Sequence, residues 1–268
     1  MMELLHYDFI QHAIVAAFLV SIACGIIGTY VVVNRIVFIS GGIAHIAFGG
    51  LGAAYYFGVN PLIGAGAISV LSAFGLGWMN YRGKEREDTV IGILWALGMA
   101  MGSIFISLTP GYAPDLMSYL FGSILTVSTS DLIIIGIWDF VILLCVLIFF
   151  KQFQAISYDR EYALTRGIPV HLLYTILLFL IAITVVMLIQ IMGALLLIAL
   201  ITIPVTLTNV FSQSIKRIMF LSSFVSLLFT LSGLWVSYFF DIPSGAAIVL
   251  VAGVSYGILK GLRFKMNL

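Results

Sequence analysis

Between its clusters of positive charge this chain runs for long stretches with no charged side chain. None occurs in residues 36–81, 167–215, 218–240 or 242–259. A helix needs about 20 apolar residues to cross the hydrocarbon core of a bilayer, and each of these stretches holds one or two such lengths. A water-facing surface is not built from segments this poor in charge. Only 9% of the 268 residues are charged, well below the roughly 25% of a soluble domain. The chain is therefore all-α, a polytopic transmembrane helical bundle. Its function rests on the few polar groups that the membrane interior tolerates.

Hydropathy and turn signals divide the chain into spans at 9–33, 36–57, 62–80, 89–108, 131–150, 171–189, 193–211, 219–239 and 245–259. The stretch 116–130, rich in Ser and Thr, reads as a short helix or re-entrant segment on the outer side. With about nine spans, all twelve Lys and Arg fall on one side: Arg35, Arg82, Lys84, Arg86, Lys151, Arg160, Arg166, Lys216, Arg217, Lys260, Arg263 and Lys265. Glu3, Asp8, Asp115, Asp131 and Asp241 fall on the other. Cations mark the cytosolic side, so the N-terminus is expected outside and the C-terminus in the cytoplasm. An acid-lined outer mouth would also concentrate passing cations.

His45 stands nine residues into the second span, near the middle of the bilayer. Gly41, His45, Gly49 and Gly52 follow at i, i+4, i+8 and i+11, which is one helix face. Glycines there let a neighbouring backbone approach closely. An imidazole in such a groove can ligate Zn²⁺ or Mn²⁺, or it can bond a neighbouring helix. Asp139 is an acid inside a span, either a second metal ligand or half of a structural pair.

In the seventh span, Pro204 removes a backbone hydrogen bond, and Thr202, Thr206 and Asn209 share a face. Their polar groups either satisfy the freed carbonyls or line a pathway. The inner loop after Lys151 carries its own helix signals. Asp159 suits an N-cap, Gly167 a C′ position and Pro169 a stop, with Arg160, Glu161 and Ala163 between them. No phosphate-cradling GxxxxGK[ST] loop and no Ser/His/Asp arrangement occurs, so neither ATP hydrolysis nor an enzyme is expected of the chain itself.

These pieces, in this order and spacing, resemble the metal-ion permease family of ABC importers over nearly the whole length. The stretch 31–52 is similar to that family's first inner loop and second span, with His45 at the family's histidine. Residues 86–92 resemble its second inner loop, 115–125 its outer segment, 157–169 its coupling helix, and 193–204 and 241–246 its C-terminal pattern. The resemblance implies a type II ABC importer-like permease, a single domain over 1–268 in a prokaryotic cytoplasmic (inner) membrane. It also implies a homodimer, and two ATPase subunits, docked on Asp159, Arg160, Glu161, Ala163 and Gly167, that hydrolyse the ATP.

An extracytoplasmic metal-binding protein would deliver zinc or manganese as transported substrate, with no cofactor held permanently and no nucleic acid partner. In many members an aspartate precedes the histidine by four residues; here that position is Gly41, and Ala44 replaces the usual serine. The missing ligand would come from Asp139 or from a second His45 across the dimer, or the ion is held differently. A permease for a metal chelate (siderophore, haem or cobalamin) and an ion-coupled secondary carrier are the competing expectations.

Overall fold

The computed structural model describes residues 7–82, 87–110, 122–194 and 197–266. Eleven α-helices are labelled in chain order among them: α1 (Asp8–Val33), α2 (Val37–Tyr56), α3 (Pro61–Arg82), α4 (Glu87–Leu108), α5 (Thr129–Ile148), α6 (Phe150–Tyr158), α7 (Arg160–Thr165), α8 (Val170–Met192), α9 (Leu197–Asn209), α10 (Ile215–Phe240) and α11 (Ser244–Met266). Eight of the described helices are long and apolar enough to cross a membrane. The exception among the expected spans is α9. Its 13 residues reach about 20 Å, short of the ~30 Å hydrocarbon core.

Side-chain contacts nevertheless show that this segment joins the two ends of the bundle. At one end, Asn34 Nδ2 donates to Ser157 Oγ at 3.0 Å, Arg160 to Asn80 Oδ1 at 3.1 Å, and the Tyr158 hydroxyl to the Gln213 carbonyl at 3.3 Å. At the other, the Ile124 amide donates to Ser244 Oγ at 3.4 Å, Thr129 Oγ1 meets His12 Nε2 at 3.3 Å, and Gly122 lies against Gly193. The chain enters this segment beside Gly122 and leaves it beside Tyr158, so it traverses the bundle. The described residues before α9, Gly193 and Ala194, are non-helical, which a membrane tolerates where protein covers the backbone; Ala194 and Leu197 are buried. Arg35, Lys151, Arg160, Arg166, Lys216 and Arg217 all belong to the first end.

The segment expected on the outer side is only partly described. Residues 111–121, with Asp115, lie outside the described residues, as do Lys84 and Arg86 of the second inner loop. Where the chain resumes, it runs extended through a 3₁₀ turn (Ile124–Thr126) into α5. That helix begins at Thr129, earlier than the Asp131 start expected from sequence, because Ser128 caps it. Ser128 Oγ accepts from the Asp131 amide at 3.2 Å, and Asp131 Oδ2 accepts from the Ser128 amide at 3.0 Å.

Helices α1, α2 and α8 form the buried centre, while α3, α4, α5 and α11 keep broad apolar faces exposed. Lipid supplies no hydrophobic drive between helices, so contact depends on close approach of small residues. The parallel pair α2 and α4 shows this best. A Cβ placed on Gly49 would stand 2.9 Å from the Gly98 carbonyl oxygen, and one on Gly52 would stand 2.6 Å from that of Gly102. Any side chain at these positions would push the two backbones apart.

Candidate functional site

Because Gly49 and Gly52 hold α2 against α4, the side chain one turn earlier has no room to leave the seam. His45 is 4% exposed. Its ring lies flat on the indole of Trp95, with centroids 4.0 Å apart and planes 16° apart. Its Nδ1 lies 3.2 Å from the Met99 Sδ. A thioether can only accept, so as a hydrogen bond this contact places the proton on Nδ1 and leaves the Nε2 lone pair for a metal. Holding one ring nitrogen in order to aim the other is how metal-binding histidines are oriented.

Trp95 and Met99 were not among the candidates read from sequence. A signal for them exists: Ile91, Trp95, Gly98 and Gly102 recur at i, i+4, i+7 and i+11 on α4, complementing Gly41, His45, Gly49 and Gly52 on α2.

Gly41 lies on the same face of α2 as His45. A Cβ built there would stand 2.9 Å from Ile198 Cδ1 and 3.5 Å from a ring carbon of Trp95. The space that a carboxylate at this position would need is taken by the end of the Ile198 side chain, from α9. Gly49 serves close packing against Gly98.

Asp139 lies elsewhere. It belongs to the one buried stripe of α5, with Ile135, Ile142 and Val146. That helix packs on α1, α6 and α8, whereas α2 is flanked by α3, α4, α8, α9 and α1. Within one chain, the structure does not bring Asp139 and His45 together. The carboxylate is 6% exposed, and neither oxygen has a hydrogen-bond partner among the described residues. Among the described residues no cluster of three or more His, Cys, Asp or Glu could hold a metal ion.

The hydroxyls of Thr202 and Thr206 fold back on their own helix, while that of Thr208 also meets Ser222 Oγ of α10 at 2.6 Å. Thr202 Oγ1 donates to the Ile198 carbonyl at 2.6 Å and Thr206 Oγ1 to the Thr202 carbonyl at 2.8 Å. Pro204 frees the Leu200 carbonyl, four residues earlier, which neither threonine reaches. Asn209 is exposed at the far end.

The short helix α7 has the ends its sequence implies. Asp159 Oδ1 accepts from the Tyr162 amide at 3.0 Å. At the other end the Gly167 amide donates to the Leu164 carbonyl at 3.0 Å and the Ile168 amide to that of Ala163 at 3.1 Å. This pair of bonds is a Schellman closure, and Gly167 adopts the φ of +73° that it requires. Ala163 is fully buried beneath the helix, and the Arg160 guanidinium sits 4.4 Å from the centroid of the Tyr174 ring. Tyr158, Tyr162 and Leu164 are exposed, and so is Glu161. A rigid cap thus presents aromatic and aliphatic side chains at the cation-bearing end.

The fold and its histidine seam define a multi-pass membrane protein built as a helical bundle. The chain belongs to the ABC 3 transport family, whose model matches residues 6–259. It is 39% identical to a "probable metal transport system membrane protein" of Chlamydia pneumoniae, over 94% of this chain and 88% of that protein. It is 31% identical to the manganese transport system membrane protein MntC of Halalkalibacterium halodurans, over 96% of this chain and 88% of that one. Its structure is similar to PsaBC from Streptococcus pneumoniae solved in complex with a Fab, with a TM-score of 0.85 and 29% identity, covering 95% and 92% of the two chains. The chain is thus a multi-pass membrane subunit of the ABC 3 transport family.

Proposed function

We propose that this chain moves divalent metal ions, zinc in preference to manganese, as the permease of an ATP-driven importer working by alternating access. The observation that carries the reading is the aimed imidazole of His45, buried mid-span with its Nδ1 engaged by Met99. Imidazole suits zinc, whereas manganese favours carboxylate and water oxygen. The carboxylate position is Gly41 here, filled by Ile198, and Asp139 faces α1. The ligand role therefore goes to His45, with a second His45 across a homodimer axis supplying another nitrogen. Two or three ligands hold an ion briefly, where a closed tetrahedral site would retain it.

Manganese is the second reading, supported by the relative whose name specifies it. Two cytosolic ATPase subunits would dock on α7 and the end of α6 through Tyr158, Tyr162 and Leu164, around Asp159, Arg160, Glu161, Ala163 and Gly167. A metal-binding protein would dock outside. The cation-bearing end is then cytoplasmic and the N-terminus external, in a prokaryotic cytoplasmic membrane.

The test is ATP-dependent accumulation of radioactive zinc and manganese in vesicles holding the chain and its ATPase. Zinc accumulation that manganese competes for weakly supports the reading. Manganese accumulation unaffected by zinc overturns the preference, and accumulation of neither overturns the transport assignment.

A further inference from the structure

Away from the histidine seam, α1, α5 and α10 diverge and leave a groove of about 1020 Å³. Its walls are apolar, formed by Phe18 and Ile22 of α1, Leu143 and Leu147 of α5, and Phe220 and Phe224 of α10. Phe18, Leu147, Phe220 and Phe224 are each more than half exposed, so the groove opens outward from the bundle rather than into it. Among the described residues two cations, Lys151 on α6 and Lys216 on α10, line it, and no acid does. The Lys216 ammonium sits 5.0 Å from the centroid of the Phe150 ring, which holds it at the groove's end. From Lys216 to Leu227 the groove follows eleven residues of α10, about 16 Å. That is half of the ~30 Å hydrocarbon core, the depth of one leaflet.

We propose that this groove binds an anionic phospholipid from the leaflet at the cation-bearing end. Its acyl chains lie along α1, α5 and α10, and its phosphate rests between Lys151 and Lys216. Charge complementarity selects this occupant. Paired ammoniums above an apolar trough match a headgroup of net negative charge, whereas a zwitterionic headgroup brings its own cation to the same place. A second copy of the chain seated here would cover both ammoniums with apolar surface, which is costly at a membrane boundary. The groove lies on a different set of helices from His45, so the proposal stands apart from the choice of metal.

The test uses the full chain in mild detergent, equilibrated with equal phosphatidylglycerol and phosphatidylcholine, with bound lipid counted by native mass spectrometry. Phosphatidylglycerol is expected to be retained about tenfold or more over phosphatidylcholine, the scale set by two lysines near an anionic headgroup. K151Q/K216Q, checked for monodispersity, is expected to lose that preference. L147W narrows the trough with both lysines in place, and is expected to lose bound lipid of either kind. Equal retention of the two lipids by the native chain, or an undiminished preference in K151Q/K216Q, would overturn the proposal. So would displacement of the lipid by inorganic phosphate alone, or disulfide cross-linking of two Leu147→Cys chains through this face.

Discussion

The His45 imidazole and the Trp95 indole stack face to face across the α2–α4 seam, with centroids 4.0 Å apart. Neither ring can tilt without the other, so the direction of Nε2 depends on a residue of a different helix. Met99 constrains the same ring from its edge, through Nδ1 at 3.2 Å. Replacing Met99 with Leu keeps the volume and removes the acceptor, so zinc uptake should fall severalfold while the melting temperature stays within a few degrees. Unchanged uptake would mean that the sulfur contact does not aim the ring.

Gly41 offers the converse experiment. The flexible end of Ile198 and the edge of Trp95 stand nearest to a Cβ at this position. Gly41→Asp with Ile198→Ala makes room for a carboxylate one turn from His45. An oxygen donor there should raise manganese uptake relative to zinc. Competition between the two metals in vesicles measures the ratio.

Close packing of α2 on α4 sets the limit on substitution along the seam. Gly98→Val drives its side chain into the α2 backbone at His45 and Ile46, and should cost about 3 kcal/mol. Gly136→Ala on α5 meets nothing within 4 Å and should be neutral or slightly stabilising. Thermal melts in detergent compare the two.

Asp139 is a buried carboxyl whose oxygens have no hydrogen-bond partner among the described residues. Removing such a group relieves a desolvation cost of about 1–3 kcal/mol. Asp139→Leu should therefore raise the melting temperature and leave metal uptake unchanged. A loss of uptake with preserved assembly would instead place the carboxylate on the ion path.

Asp159 caps the six-residue helix α7. Asp159→Ala should remove about 1 kcal/mol of local helix stability. Co-purification of the ATPase subunit should weaken and uptake should fall, while the melting temperature of the bundle is little changed. Retention of full ATPase binding would move the docking site elsewhere.

Charge is expensive in lipid, and this is why the bundle was legible from sequence: the uncharged stretches located the eight described helices long and apolar enough to cross a membrane. The face of α2 was legible too, because Gly41, His45, Gly49 and Gly52 keep helical spacing. What occupied that face was not. That Trp95 and Met99 meet His45 depends on α4 lying parallel to α2, a tertiary choice that one helix's periodicity does not encode. The reach of α9 was overestimated because apolar composition continues through Gly193 and Ala194, where the backbone is no longer helical. Asp139 was read from its depth as either a second metal ligand or half of a structural pair, and depth does not say which seam of the bundle a residue faces; here its helix packs on α1, α6 and α8. The ends of α7 were legible at single residues, since an Asp cap and a Gly at positive φ each answer a local backbone requirement.

The central claim is that His45 is where a metal ion pauses on its way through the chain. The direct measurement is ATP-driven zinc uptake by vesicles carrying His45→Ala beside the native chain, with assembly and ATP hydrolysis monitored in both. The account predicts that uptake falls to background while the complex still assembles and hydrolyses ATP. Zinc uptake at the native rate in the variant would contradict it.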